Sequence, residues 1–304
     1  MRSLVFPQKV LYFPVTPFDE RGAVAPDALD EHLASRLPHD PGAVFIACGT
    51  GEFHALSFSE YELVVARGVV VTAGTVPVVA GTGGPLGHAL ECAAAAERLG
   101  ADALLVMPPY LVTGPQQGIV AYVEAIAAAT DLPLIVYHRG NAQLTVASVE
   151  ALSTNPRVAG FKDGVGDVAL AQEFVLAAGR SGRTDLQFFN GLLTAELSQR
   201  AYRAIGVPLY SSAVFAMAPD IANAWFRAYV AHDETRLDEL LEGFYAPLVR
   251  LRDTTPGYAV ALVKAGVGLG GIRAGGVRPP LADPSGVHRE RLVRILERGR
   301  ELVG

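Results

Sequence analysis

Eight short runs of β-branched and aliphatic residues recur along the chain, at residues 11–15, 43–47, 76–80, 103–107, 132–137, 158–162, 186–190 and 207–211. Each is too short for a helix and predominantly apolar, as expected of a strand buried on both faces. Their starts lie 32, 33, 27, 29, 26, 28 and 21 residues apart. That spacing is what one strand, one helix and two short loops consume. Between them, residues 26–37, 59–73, 85–99 and 116–129 carry apolar positions at helical spacing, several opening with Ser or Pro. Eight consecutive βα units close naturally into a (β/α)8 barrel, the TIM barrel of the α/β class, spanning residues 1–218. Beyond Pro219 the pattern is purely helical, at 220–230, 234–251, 258–266 and 289–302. It predicts an α-helical extension, residues 219–304, packed on the barrel.

A doubly wound sheet is the competing architecture, and it would carry a phosphate-binding loop after its first strand. None is found there. Gly266, Gly268 and Gly271 spell G-x-G-x-x-G, but they follow a helical stretch where a dinucleotide site requires a strand.

Composition narrows the class further. The 304 residues are 50% hydrophobic with a formal net charge of -6, so there is no basic field to collect nucleic acid. Gly, Pro or charge interrupts every apolar stretch short of a membrane span. Pro7, Pro14 and Pro17 break the apolar N-terminal region, against a signal peptide, so the cytoplasm is expected. Cys48 and Cys92 form neither a redox pair nor a zinc knuckle, and the seven histidines show no metal spacing, so no metal is expected.

Only three of the 25 basic residues are lysines, Lys9, Lys162 and Lys264. Arginine replaces lysine on most surfaces but cannot act as an amine nucleophile, so a lysine kept inside an apolar strand stands out. Lys162 lies in Gly160-Phe161-Lys162-Asp163. An ammonium facing the barrel interior is costly to desolvate, and a neutral amine can attack a ketone to form an iminium, an electron sink needing no cofactor. The alternative is a lysine that snorkels from the strand end or pairs with Asp163.

In a βα barrel the chemistry sits at the carboxyl ends of the strands. Here those ends read Gly49-Thr50-Gly51-Glu52, Gly81-Thr82-Gly83, Pro108-Pro109-Tyr110, Tyr137-His138-Arg139, Lys162-Asp163, Asn190-Gly191 and Ser211-Ser212. Tyr137 is a candidate proton relay or a core tyrosine. Arg139 is a candidate carboxylate fork or an ordinary loop arginine. Gly49 and Thr50 form a candidate carboxylate cradle or a plain tight turn.

Together these segments, with Phe13-Pro14-Val15-Thr16-Pro17-Phe18, Gly164-Val165-Gly166-Asp167, Tyr210 to Phe215 and Pro256-Gly257-Tyr258-Ala259, resemble the dihydrodipicolinate synthase and N-acetylneuraminate lyase family. The likeness spans nearly the whole chain. Within the family the Phe161 to Asp167 and Ser211 to Phe215 runs are similar to a branch of sugar-acid dehydratases.

The resemblance implies that Lys162 is the Schiff-base lysine and Tyr137 its proton-relay partner. It implies that Gly49 and Thr50 bind a 2-oxo acid carboxylate, with Asn190 and Ser212 as further substrate contacts. Tyr110 matches a tyrosine that reaches across a dimer interface, and the implied assembly is a homo-oligomer, dimer or tetramer. The implied reaction, without cofactor, is dehydration and decarboxylation of a 2-oxo-3-deoxy sugar acid. An aldolase or condensing enzyme of the same family, and a non-catalytic sugar-acid binder, are the alternatives. Around the mouth the chain departs from the dehydratase pattern at His54, His138, Gly140, Leu193 and Ala216.

Overall fold

The computed structural model describes residues 4–304. Its eight strands are β1 (Leu11–Tyr12), β2 (Ala43–Ile46), β3 (Val78–Thr82), β4 (Ala103–Val106), β5 (Leu134–His138), β6 (Val158–Asp163), β7 (Gln187–Asn190) and β8 (Leu209–Ser212). All pair in parallel and in chain order, and β8 returns to β1, closing the barrel. Each lies inside one of the apolar runs or within two residues of it, because strands shielded on both faces are predominantly apolar, with polar residues gathered mainly at their carboxyl ends.

Helices α1 (Pro26–Arg36), α2 (Phe58–Thr72), α3 (Leu86–Leu99), α4 (Gln116–Ala128), α5 (Val146–Ser153), α6 (Val168–Arg180) and α7 (Gln199–Ala204) surround it. Their starts are chemically marked. Ser57 and Glu60 form a reciprocal capping box on α2, with Glu60 N donating to Ser57 Oγ at 3.3 Å and Ser57 N to Glu60 Oε2 at 2.9 Å. Asp167 accepts from Leu170 N at 3.0 Å to open α6.

The extension consists of α8 (Val214–Met217), α9 (Pro219–Ala231), α10 (Glu234–Leu240), α11 (Ala246–Arg252), α12 (Tyr258–Leu269) and α13 (Gly286–Val303). A π turn, Leu241–Tyr245, joins α10 to α11 where the sequence pattern predicts one unbroken helix. The glycines of the G-x-G-x-x-G string lie at the end of α12 and just beyond it, so the strand that a nucleotide loop requires is absent from that place. One apolar core runs without a break from barrel strands to extension helices, through Phe215, Trp225, Phe244 and Leu292.

Low in the barrel Phe6 packs against Phe45 and Phe189, with ring centroids 5.9 and 5.6 Å apart, and Phe13 stacks on Phe45 at 4.4 Å. Each such burial contributes roughly 2–3 kcal/mol. The rings also build a dry floor beneath the strand ends. Among the described residues no helix is long and apolar enough to cross a membrane, and no cluster of His, Cys, Asp or Glu could hold a metal ion.

Candidate active site

Strand register decides which strand-end groups meet. Tyr137 on β5 pairs with Lys162 on β6, and one step further along His138 pairs with Asp163, which in turn pairs with Asn190. Successive side chains on a strand take opposite faces. Tyr137 and Lys162 therefore point into the barrel, while His138, Asp163 and Asn190 point outward, toward the helices. Above the inward row opens a cavity of about 520 Å³, lined by Phe13, Gly49, Thr50, Tyr137, Arg139 and Lys162 among others.

Lys162 is 5% exposed. Its Nζ lies 3.9 Å from the centre of the Tyr137 ring and 4.9 Å from that of Phe13. The pairing with Asp163 raised by the sequence does not occur. That carboxylate is on the outer face, accepting from Val165 N at 2.9 Å, from Gly166 N at 3.3 Å and from the Tyr202 hydroxyl. No carboxylate lines the cavity among the described residues, whereas three cationic side chains do, Lys162, Arg139 and Arg252. A cavity so charged suits an anionic ligand.

Tyr137 donates its hydroxyl to the Gly191 carbonyl at 2.7 Å and accepts from Arg139 Nη1 at 2.9 Å. Burial alone pushes a phenol's pKa up, but Lys162 and Arg139 outweigh it and hold Tyr137 below the ordinary tyrosine value. Two glycines make this packing possible. A Cβ on Gly164 would lie 2.7 Å from Tyr137 Cε2, and one on Gly191 would lie 2.6 Å from Lys162 Cγ.

The Gly49 to Glu52 turn sits at the rim, with Gly49 and Thr50 lining the cavity. Left-handed backbone at Ala47 (φ 49°) and Glu52 (φ 57°) brackets it, and Thr16 Oγ1 donates to the Gly51 carbonyl at 2.6 Å. Glu52 turns away from the cavity and is fully buried. It accepts from Lys264 Nζ at 2.7 Å and from the Arg278 backbone N–H at 2.8 Å. The helical extension thus holds the turn from behind.

Two candidate contacts must be corrected. Asn190 and Ser212 are fully buried on the outer face and do not line the cavity. Asn190 donates to Ser198 Oγ at 3.0 Å and Gln199 Oε1 at 3.1 Å, and Ser212 donates to Glu196 Oε1 at 2.6 Å. Each is one residue out of phase with the interior, so their neighbours Gly191 and Ser211 line the cavity instead. Arg139 and Tyr110 do line it, and Tyr110 is 40% exposed at the mouth.

Among the departures, His138 accepts from Leu144 N at 2.7 Å through Nδ1 and packs edge-on against Phe174, away from the cavity. Ala216 is buried as well, offering its carbonyl to Arg36 Nε at 2.9 Å. His54, Gly140 and Leu193 remain at the mouth.

Sequence reasoning missed the cavity wall supplied by the extension. Arg252 lines the cavity and donates to the Leu193 carbonyl at 2.8 Å and to Thr194 Oγ1 at 2.9 Å, tying α11 to the loop after β7. Tyr258 and Leu262 of α12 line it as well. No strand end marks these residues, so nothing in the βα period points to them. Glu196 was missed too. Burial lifts its carboxyl to about 7, against a lowering by the Ser212 hydroxyl bond, and its Oε2 has no partner.

A closed parallel barrel with an inward lysine at a strand end, roofed by a helical extension, defines a lysine barrel. The chain belongs to the dihydrodipicolinate synthetase family, whose model matches residues 7–299. It is 52% identical over 295 residues to a probable 5-dehydro-4-deoxyglucarate dehydratase 2 of Streptomyces coelicolor, covering 97% of this chain and 90% of that protein. It is 50% identical over 295 residues to a probable 5-dehydro-4-deoxyglucarate dehydratase of Streptomyces griseus, covering 96% and 92%. Among solved structures, dihydrodipicolinate synthase from Oceanobacillus iheyensis superposes with a TM-score of 0.88 at 24% identity, over 97% of each chain. That likeness concerns the fold.

Proposed function

We propose that this enzyme is a lyase that dehydrates and decarboxylates 5-dehydro-4-deoxy-D-glucarate to 2,5-dioxopentanoate, carbon dioxide and water through a Schiff base on Lys162. The observation that carries the reading is Lys162 itself, buried at the floor of a cavity that no carboxylate lines among the described residues, in a chain about half identical to proteins named for that dehydratase activity.

Chemistry follows from the iminium. With carbons numbered from the 2-oxo acid end, the Lys162 amine replaces the C2 oxygen, which leaves as water. The iminium acidifies the C3 hydrogens, and loss of one gives an enamine that expels the C4 hydroxyl with a proton as water. Conjugation then reaches C5. The bond to the C6 carboxylate breaks, carbon dioxide leaves, and its electron pair flows through the extended system to the iminium nitrogen. Protonation at C3, tautomerisation of the C5 enol to an aldehyde, and hydrolysis release 2,5-dioxopentanoate and the free amine. One lysine serves every step.

Tyr137 relays protons beside that nitrogen. Gly49 and Thr50 cradle the C1 carboxylate through backbone N–H groups and a hydroxyl. Arg139, whose Nε and Nη2 have no protein partner among the described residues, grips the C6 carboxylate. Ser211, on the inner face of β8, takes the substrate contact expected of Ser212. Asn190 acts from behind, anchoring the loop that carries Gly191. The enzyme works in the cytoplasm as a homo-oligomer, with the exposed Leu111 and Val112 beside Tyr110 as the apolar surface to be covered.

Product analysis tests the reading. Purified enzyme given 5-dehydro-4-deoxyglucarate should release carbon dioxide and 2,5-dioxopentanoate in equal amounts. Pyruvate in their place would make it an aldolase, and unchanged substrate would leave a binding protein.

A further inference from the structure

Arg139 is bound to the Tyr137 phenol before any substrate arrives. Its Nη1 donates to the phenol oxygen at 2.9 Å, while its guanidinium carbon stands 5.6 Å from the centre of the same ring. The phenol hydrogen is parked on the Gly191 carbonyl at 2.7 Å, and Lys162 Nζ lies 3.9 Å from the ring centre. Two basic side chains thus lie within reach of one phenol.

We propose that Arg139 is a positioning residue for the Tyr137 phenol as well as a carboxylate fork: its guanidinium holds the phenol oxygen beside Lys162 and stabilises the phenolate that proton relay requires. The inference rests on the proposed Schiff-base chemistry but concerns a different property, the ionisation of one tyrosine in the free enzyme.

The proton balance shows where such a cation acts. When Lys162 adds to the C2 carbonyl, the phenol gives its proton to the departing carbinolamine hydroxyl, which leaves as water. Tyr137 is then a phenolate beside an iminium, with Arg139 donating to its oxygen. Taking the C3 proton restores the phenol and leaves the neutral enamine. A guanidinium suits this task because it stays protonated throughout and cannot itself surrender the proton.

Two cations act on the phenol against burial, Lys162 first and Arg139 second. Facing Tyr137 are Lys162 from β6, Arg139 beyond β5 and Tyr110 beyond β4, with Arg252 of α11 and His54 at the mouth, and no carboxylate lines the cavity among the described residues. Tyr137 is held below the ordinary tyrosine value although burial pushes it up. Burial raises Tyr12, Tyr61, Tyr210 and Tyr245 well above that value. Tyr137 should therefore be the first of them to ionise.

The test is a spectrophotometric pH titration of tyrosinate absorbance in the substrate-free protein. Tyr137→Phe should remove the earliest step and so assign it. Arg139→Met should move that step upward by about one pH unit or more, since a neighbouring cation shifts a phenol by that order. Arg139→Lys, which keeps the charge without the fork, should restore part of the shift and guards against a folding defect in the methionine variant. In turnover, the basic limb of kcat should move with the titration, whereas loss of the fork alone would raise KM and leave that limb in place. An earliest step unmoved by Arg139→Met, or the absence of any step removed by Tyr137→Phe, would overturn the inference. Failure of the proposed reaction would appear separately, as absence of 2,5-dioxopentanoate from an enzyme whose phenol titrates as expected.

Discussion

The molecule buries two lysines and treats them in opposite ways. Lys264, 1% exposed on α12, meets Glu52 Oε1 at 2.7 Å, and its Nζ stands 3.8 Å from the centre of the Phe18 ring. Burial lowers its pKa, and Glu52 opposes that shift by stabilising the charged form. Lys162, 5% exposed, has the rings of Tyr137 and Phe13 and no carboxylate partner among the described residues. A buried charge with a full partner is committed to structure, because removing either member strands the other. An amine without such a partner is not held in an ion pair, and in its neutral form its nitrogen is free to react. Lys264 ties the extension to the turn that carries Gly49 and Thr50, whereas Lys162 waits beneath the cavity.

The sharpest way to break the comparison is to remove each amine in turn. Lys162→Met should lower turnover by roughly 10⁴-fold or more, as loss of a covalent nucleophile does. Its thermal stability should hold or rise, because no ion pair is broken. Lys264→Met should do the reverse. Chemistry should survive in the folded fraction, while stability falls by about 3–5 kcal/mol as Glu52 is left buried and unpaired. Adding Glu52→Gln to that variant should restore much of the loss in a denaturant titration. Equal stability losses for the two lysine variants would erase the distinction.

A smaller effect is expected at Gly191. A Cβ there would come within 2.6 Å of Lys162 Cγ and 2.8 Å of the Asp163 carbonyl oxygen. Gly191→Ala should displace the lysine and cost about 10²-fold in kcat, the order expected for a misplacement near 1 Å. It should also lower the melting temperature somewhat, because the Asp163 carbonyl must give way with the lysine, while leaving the Lys264 junction intact.

Glu196 extends the contrast to a buried acid without a cationic partner. Its folded-state pKa, about 7, lies above the ordinary 4.5 because of burial. The native state therefore holds this proton longer than the unfolded chain. The stability it contributes is complete below about pH 4.5 and is lost as pH rises through about 7. Glu196→Gln should remove that slope and stabilise the protein at pH 8 by about 1–3 kcal/mol, read from chemical denaturation across pH. A wild-type slope unchanged in the glutamine variant would contradict it.

The barrel was legible because predominantly apolar strands at a βα spacing have few other solutions, and Lys162 because an amine inside such a strand is expensive. Asn190 and Ser212 show what a list of strand ends lacks. It names the polar residues but not their phase, and one residue of register turns a substrate contact into an outer-face anchor. The Glu52 and Lys264 pair spans 212 residues of sequence. Nothing local in either segment announces the other. Arg252 was equally silent, since it reaches the cavity from a surface-patterned helix that only tertiary packing brings over the mouth.

The most direct test of the Lys162 assignment is borohydride trapping with 5-dehydro-4-deoxyglucarate, followed by mass spectrometry of the intact chain and its peptides. The expected result is a single five-carbon adduct on Lys162, present also in folded Lys264→Met and absent from Lys162→Met. An adduct on Lys264, or none on the wild-type protein with substrate or with pyruvate, would contradict the division of labour between the two buried lysines.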